Sequence, residues 1–290
     1  MAKLVFGCGY LGLRVARLWK ADGHTVYAAT RDANRASELA REGLQPLILD
    51  LTADQPIAVP QDVQTVLFAV GYDRKSGKSI HEVYAGGLKR ALAALPATVD
   101  RIIYISSTGV YGHVASEWVN ENSPCQPIRE GGAASLAAEN VLKQHPLGAK
   151  GIVLRLAGIY GPLRIPRAAD LSAGKPIDAP AEGTLNLIHV DDAARIVLLA
   201  EKPSTPSQLY VVSDGHPMVR REYYEELARL LHAPPPTFVD PDPSSPAAQR
   251  ATSDKRIDNR RLRDELQPTF LYPSYREGLR AILQQPTQSR

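Results

Sequence analysis

Cysteine is scarce: two in 290 residues, Cys8 and Cys125, far apart in the chain. That excludes a multi-bridge disulfide framework and a C-x-x-C metal knuckle, and it suits a reducing compartment. No run of about 18 apolar residues occurs, so no segment reads as a membrane-spanning helix. The first residues enter an apolar strand directly, without the long apolar stretch and cleavage site of a secretory leader. A soluble, cytoplasmic protein is expected. An excess of one charge is also lacking: 34 Lys and Arg face 31 Asp and Glu, a net +3. The charges are mixed along the chain, unlike the clustered basic surface of a nucleic-acid or membrane binder. G-x-S-x-G, H-E-x-x-H and P-loop patterns are absent, so hydrolase and nucleoside-triphosphatase readings lack support.

What is present is an alternation of strand-length apolar runs with helical patterns. The chain is 44% apolar, enough for one large domain or two modest ones. Strands are expected at Lys3–Phe6, Thr25–Ala29, Pro46–Leu51, Val66–Val70, Arg101–Ser106 and Gly151–Leu156. Between them, apolar residues at helical spacing predict helices from Leu11 to a stop at Asp22-Gly23, and over Arg35–Arg41, Ile80–Leu95 and Ala133–Gln144. This βαβα order predicts an α/β fold with a doubly wound parallel sheet over residues 1–160. Beyond residue 160 the pattern loosens. A helix is expected at Asp191–Glu201, a strand at Leu209–Val212, a helix at Arg221–Leu231 and irregular chain through the six prolines between 234 and 246. A return segment of about 184–215 is assigned to the sheet. Residues 161–183 and 216–290 are assigned to a smaller C-terminal lobe over its carboxyl edge.

The loop Gly7-Cys8-Gly9-Tyr10-Leu11-Gly12 carries G-x-G-x-x-G with a strand before it and a helix after it. In that context the first glycine permits a tight turn. The second lets backbone approach a pyrophosphate, and the third allows close helix–sheet packing. Backbone N–H groups at the helix start would meet the phosphates. The alternative is a plain strand–helix turn. An acid after the second strand would bind the ribose 2′-hydroxyl of NAD. Here Thr30 stands in that place, with Arg31 next and Arg35 one turn on. Without a carboxylate to repel a 2′-phosphate, two guanidiniums can pair with it, which favours NADP while NAD stays open. Asp32 is a competing ribose contact, and the arginines could equally be solvated. Asp50 either meets the adenine amino group or caps Thr52-Ala53. Ala69, Val70 and Gly71 at the end of the fourth strand, and Ser106 in the fifth, complete this candidate cofactor set.

Later segments resemble the extended short-chain dehydrogenase/reductase family, epimerase/dehydratase branch, which has a Rossmann-type fold. The resemblance rests on Ile105-Ser-Ser-Thr-Gly-Val-Tyr-Gly112, Leu154-Arg-Leu-Ala-Gly-Ile-Tyr-Gly-Pro162 and Asn186-Leu-Ile-His-Val-Asp-Asp192. The endings Asp258-Asn-Arg-Arg-Leu-Arg-Asp-Glu-Leu266 and Tyr272-Pro-Ser-Tyr-Arg-Glu-Gly-Leu279 also match that family's tail. The resemblance implies a catalytic Ser or Thr at Ser107 and a Tyr-x-x-x-Lys pair on the following helix. A phenol near pKa 10 needs an adjacent cation to work near neutrality. With Glu139 aligned to the family's glutamate, the tyrosine position is Gly131 and the lysine position Ser135. No tyrosine lies between 112 and 159, so no other register supplies the pair. The chain resembles the atypical subgroup that lacks it.

Ser107 and Tyr111 are therefore the candidate catalytic residues, with Tyr111 alternatively a packed ring. Gly158 and Tyr160 sit where the family contacts nicotinamide, or else form a turn before Pro162. Thr108, Arg164 and Arg167 are candidate substrate contacts, the arginines for an anionic group. Glu130 reads as a cap near a helix start. Arg155, in an apolar run, needs a partner, and Glu139 is the candidate. His189, Asp191 and Asp192 lack the i,i+4 spacing of a helical metal site, so helix capping is favoured and no metal is expected. The expected function is NADP(H)-dependent redox or epimerase chemistry on an unknown small molecule. The alternative is an NADP(H)-binding sensor, favoured if the space beside Ser107 and Tyr111 is filled rather than open. The Ala-rich faces of Ile80–Leu95 and Ala133–Gln144 suggest a homodimer.

Overall fold

The computed structural model describes residues 1–112, 116–202, 207–242 and 254–284. Seven parallel strands form the central sheet: β1 (Ala2–Phe6), β2 (Thr25–Thr30), β3 (Gln45–Ile48), β4 (Val63–Phe68), β5 (Arg101–Ser107), β6 (Gly151–Leu156) and β7 (Leu209–Val212). Their order is β7-β6-β5-β4-β1-β2-β3. The chain winds outward from β1 through β2 to β3, then crosses back to lay β4 on the other side of β1. The β1/β4 boundary is thus the topological switch point, where open α/β sheets bind ligands beyond the strands' carboxyl ends. The register brings those ends level, with Phe6 beside Ala29 and Phe68, and Ser107 beside Leu156.

Helices cover both faces, as an all-parallel sheet requires. Helix α1 (Gly12–Ala21) turns Val15, Ala16 and Trp19 inward. Together with α2 (Ala33–Arg41) and α5 (Val190–Glu201), it buries one face. On the other face α3 (Gly87–Ala94) and α4 (Glu130–Gln144) contribute Leu88, Leu92, Ala138 and Leu142. Past the sheet, Tyr160, Leu171, Tyr223, Leu227, Tyr275 and Leu279 form a separate apolar cluster. It is built largely by α6 (Arg220–Leu231) and α8 (Tyr275–Gln284), with α7 (Arg260–Leu266) running back to the sheet's β7 edge.

Several expected elements differ in detail. The fourth strand begins at Val63 and ends at Phe68, so Ala69 and Val70 are loop rather than strand. Ala69 still donates its N–H to Phe6 O at 2.8 Å, which holds that loop against β1. The expected helix Ile80–Leu95 contains a π turn over Glu82–Gly86 before α3 begins. The stretch 162–183 holds a five-residue helix, Ala168–Ser172, and a two-residue strand, Ile177–Asp178, paired with Phe238–Val239. Prolines 243 and 246 of the proline-rich segment lie outside the described residues. Lys3 opens the expected apolar strand Lys3–Phe6. It is buried, its Nζ bonded to Glu201 and, at 3.1 Å, to Thr65 Oγ1. Trp19 Nε1 donates to the same glutamate at 2.6 Å.

Candidate active site

A cavity of about 970 Å³ opens at the switch point, beyond the ends of β1, β2, β4 and β5. That volume is at the upper end of the range for cofactor and ligand sites. One half is lined from the chain's beginning: residues 6–11, 29–31, 35, 49–52, 69–71 and 73. The other half is lined by Ser107, Thr108, Arg164, Asn186, Arg220 and Lys255, among others.

In the first half the three loop glycines differ physically. Gly7 has φ +86°, and a Cβ there would fall 2.5 Å from the Ala69 carbonyl. A Cβ on Gly12 would fall 2.3 Å from Gly7 O. These two glycines are required by the protein's own packing, and Gly12 does not line the cavity. A Cβ on Gly9 or Gly71 would meet nothing within 4 Å. Neither glycine is needed for packing. Both border open space into which a ligand's backbone contact could fit. No side chain caps the start of α1, whose N-cap residue is Leu11. Tyr10 lines the cavity, with its hydroxyl bonded to Pro162 O at 3.0 Å.

Thr30, Arg31 and Arg35 line the far end of this half. Arg31 lies 3.7 Å from Asp73, both half exposed, and Arg35 pairs with Glu38 at 2.6 Å. Asp32 caps α2 by accepting from Arg35 N at 2.7 Å, so its carboxylate is turned to the helix. Asp50 lines the cavity and also accepts from Thr52 N and Oγ1, both at 2.7 Å. Burial works against its charge, but these bonds and nearby Arg31 and Lys78 hold its carboxyl below the usual range. Cys8, in the loop, has its thiol pushed up to about 11 by burial.

In the second half Ser107 Oγ accepts from Gly109 N at 3.0 Å and fixes the turn that follows β5. Thr108 and Gly158 also line the wall. Arg164 lies over the Tyr10 ring at 5.3 Å. Ser106 contributes from β5, but its hydroxyl donates to Glu139. The π turn delivers Val83 and Tyr84 to the lining, in keeping with the frequent use of such turns at functional sites.

Three expected positions are corrected. Tyr111 does not reach the cavity. Its ring packs among Val110, Val119, Val211 and Ile257, and its hydroxyl accepts from Arg155 Nη1 at 2.9 Å. Burial pushes that phenol up to about 12. Tyr160 is likewise fully buried in the distal apolar cluster, bonded to Ser274 O at 3.4 Å and off the cavity. Gly158 and Ile159 line the cavity, whereas Tyr160, the last residue of the short strand Gly158–Tyr160 that pairs with Leu187–His189, packs into the distal cluster. Arg167 also lies off the cavity, in the left-handed region at φ +61° and paired with Asp170 at 3.1 Å.

The anticipated Arg155–Glu139 pair is bidentate, at 2.6 and 3.0 Å, and buried. His189, rather than the aspartates, caps α5, its Nδ1 accepting from Asp191 N at 3.2 Å. Asp192 instead accepts from Leu271 N and Tyr272 N at 2.6 and 3.0 Å, tying the C-terminal tail down. On α4, Gly131 and Ser135 occupy the positions where the resemblance implies tyrosine and lysine, and Ser135 lines the cavity. Ser135 Oγ is bonded back to Gly131 O at 2.9 Å.

Sequence reasoning missed Arg220, Tyr84 and Lys255, and Arg129, which precedes α4, also lines the cavity. Lys255 stands just before a two-residue strand, Arg256–Ile257, which pairs with Trp118–Val119. No local pattern marks it.

This geometry of sheet, loop and cavity defines a dinucleotide-binding type of α/β protein. The model of the NAD dependent epimerase/dehydratase family matches residues 4–212, and the chain belongs to that family. It is 30% identical over 278 residues to Protein YeeZ of Escherichia coli (strain K12), covering 93% of this chain and 95% of that one. It is 28% identical over 243 residues to the 2′-dehydrokanamycin reductase of Streptomyces kanamyceticus, covering 79% of this chain and 66% of that one. A solved structure of a functionally unknown conserved protein from Silicibacter pomeroyi DSS superposes with a TM-score of 0.76 at 25% identity. That match covers 97% of this chain and 98% of the other.

Proposed function

We propose that this chain is an NADP(H)-dependent oxidoreductase that reduces a small carbonyl substrate without a tyrosine–lysine pair. The observation that carries the reading is that one continuous cavity spans both halves. It runs from the glycine loop and Arg31 to Ser107, Asn186 and Lys255, leaving room for a second small molecule beside a dinucleotide. A sensor gripping only the adenine half would not need the second half. The reductase named among the relatives supports the same direction.

Gly9, Gly71 and the start of α1 would hold the pyrophosphate, and Asp50 the adenosine end. Thr30, Arg31 and Arg35 favour a 2′-phosphate, since Asp32 is turned into its helix cap. When bound, the nicotinamide supplies or accepts a hydride. The protein positions the substrate against Ser107 and Thr108, and it must exchange a proton with the substrate oxygen.

The test is titration with NADPH and NADH, following nicotinamide fluorescence. NADPH is expected to bind more tightly, with enhanced emission. Arg31→Ala should weaken NADPH by about 10- to 100-fold, the loss of one charged hydrogen bond, and leave NADH within about 2-fold. Equal affinities would reject the NADP preference. Binding of neither would reject the dinucleotide reading.

A further inference from the structure

Carbonyl reduction requires a hydride to carbon and a proton to oxygen. The nicotinamide supplies the first when bound; the chain must supply the second. Among the described residues lining the cavity, few groups can do so. The Cys8 thiol is pushed up to about 11 by burial. Burial also raises the phenols of Tyr10, Tyr84 and, most strongly, Tyr104. Arginine does not release a proton near neutrality. Asp50 is held as a carboxylate by Thr52.

Lys255 is different. It lines the same end of the cavity as Ser107 and Thr108 yet is only 5% exposed. Its backbone is clamped. Asn186 Nδ2 donates to Lys255 O at 2.8 Å, and Asn186 Oδ1 accepts from Ile257 N at 2.9 Å. One amide side chain thus brackets the lysine as a neighbouring strand would. On the other side, Asp254 is fixed by Thr184 N at 2.9 Å and by the Ser116 hydroxyl. The Lys255 ammonium reaches to Gly112 O at 3.5 Å, at the end of the turn that carries Ser107 and Thr108.

We propose that Lys255 is the catalytic proton donor, delivering its ammonium proton to the substrate oxygen as the carbonyl carbon takes up the hydride. The assignment rests on the reading of the cavity as a dinucleotide and carbonyl site. The N–H bond of the ammonium breaks and an O–H bond forms, leaving an alcohol and a neutral amine that regains its proton from water. In oxidation the same amine accepts the proton. Arg129 from the start of α4 acts on its charge, and Arg220 from α6, which lines the same cavity, faces Asp254, the residue before Lys255. Burial, with Arg129 adding to it, brings the ammonium down to about 8. It is therefore protonated at neutrality and ready to donate, near the optimum for general acid catalysis.

The test uses the full chain and the variants Lys255→Arg and Lys255→Met. All three are expected to bind NADPH within about 3-fold of one another by fluorescence. No binding by the wild type would overturn the dinucleotide reading, and this assignment with it. In cofactor-free protein carrying ¹³C-labelled lysine, the Cε resonance missing from Lys255→Arg should titrate near pH 8. A midpoint above 10 would overturn the proposal. NADPH oxidation is then followed with 9,10-phenanthrenequinone, glyceraldehyde and pyruvate as carbonyl probes. The wild type should consume NADPH with at least one of them, the rate falling as pH rises through 8. Both variants should lose about 10²- to 10⁴-fold in kcat, with KM for NADPH unchanged. Full rescue by Lys255→Arg would show that charge alone suffices and would overturn the donor role. Binding of NADPH without oxidation by any probe would overturn it in favour of a sensor.

Discussion

A methyl group added at Gly7 would meet the Ala69 carbonyl carbon and oxygen at 2.5 Å, on a backbone at φ +86°. The same change at Gly9 would meet nothing. The two substitutions therefore separate folding from binding. Gly7→Ala should cost about 1–3 kcal/mol in denaturant unfolding, from left-handed strain and overpacking. Gly9→Ala should leave the unfolding midpoint unchanged while weakening NADPH by about 10-fold or more. An unchanged NADPH affinity for Gly9→Ala would mean that the open space beside it is not the pyrophosphate seat. The sequence displayed both glycines with equal weight, and only the neighbouring β4 loop tells them apart. Lys255 is the opposite case. Nothing within ten residues of it signals a site, because strand pairing far from the glycine loop brings it there.

At the scale of elements, the sheet strands and the main helices could be read from periodicity, because burial on both faces demands unbroken apolar runs. The loop ends could not. Val70 belongs to an apolar run, yet leaves the ladder just past Ala69, whose N–H still bonds β1, to line the cavity. Tyr111 looked available because its neighbours Ser107 and Thr108 are; the short helical turn between them rotates the phenol into the core. The Arg155–Glu139 pair was legible, because a charge inside a strand must find a partner. It joins β6 to α4 and carries Ser106 and Tyr111 with it. Arg155→Met alone should cost about 3–5 kcal/mol, by stranding the Glu139 carboxylate. Adding Glu139→Leu should recover much of that loss. A double variant as unstable as the single one would mean that packing, not the unpaired charge, sets the cost.

At the scale of the whole molecule, the apolar cluster beyond the sheet meets it at a buried polar seam. There Asp214 and His189 titrate with opposite sign. Burial raises the Asp214 carboxyl to about 7, with Oδ2 left unbonded among the described residues. Its contribution is full below about pH 4 and is lost as pH rises to 7. Burial lowers His189 to about 4, so its contribution is full above about 6.5 and is lost as pH falls to 4. Asp214→Asn should therefore stabilise the protein at pH 8 by about 2–4 kcal/mol, an upper range set by the shift. It should also leave a stability that climbs between pH 4 and 6.5. A variant curve parallel to the wild type would place the Asp214 carboxyl at its ordinary value. No helix among the described residues is long and apolar enough to cross a membrane. We propose that two chains pair through α3 and α4, where Ala133 and Ala137 are only partly covered. Light scattering at micromolar concentration should give twice the mass of one chain, and a single-chain mass would reject the pairing.

The two halves of the cavity come from separate stretches of the gene. The glycine loop, Thr30, Arg31, Arg35, Asp50 and residues 69–71 all lie before position 75, whereas Ser107, Thr108, Arg164, Asn186, Arg220 and Lys255 lie beyond position 104, with Val83 and Tyr84 of the π turn between them. A recombination event between two relatives near that boundary would exchange coenzyme preference in one step and leave substrate choice to the recipient. Drift in the second stretch could retarget the chemistry without disturbing the grip on the dinucleotide. A chimera taking its first 75 or so residues from a relative with an acid at position 30 is expected to bind NADH while keeping this chain's substrate preference.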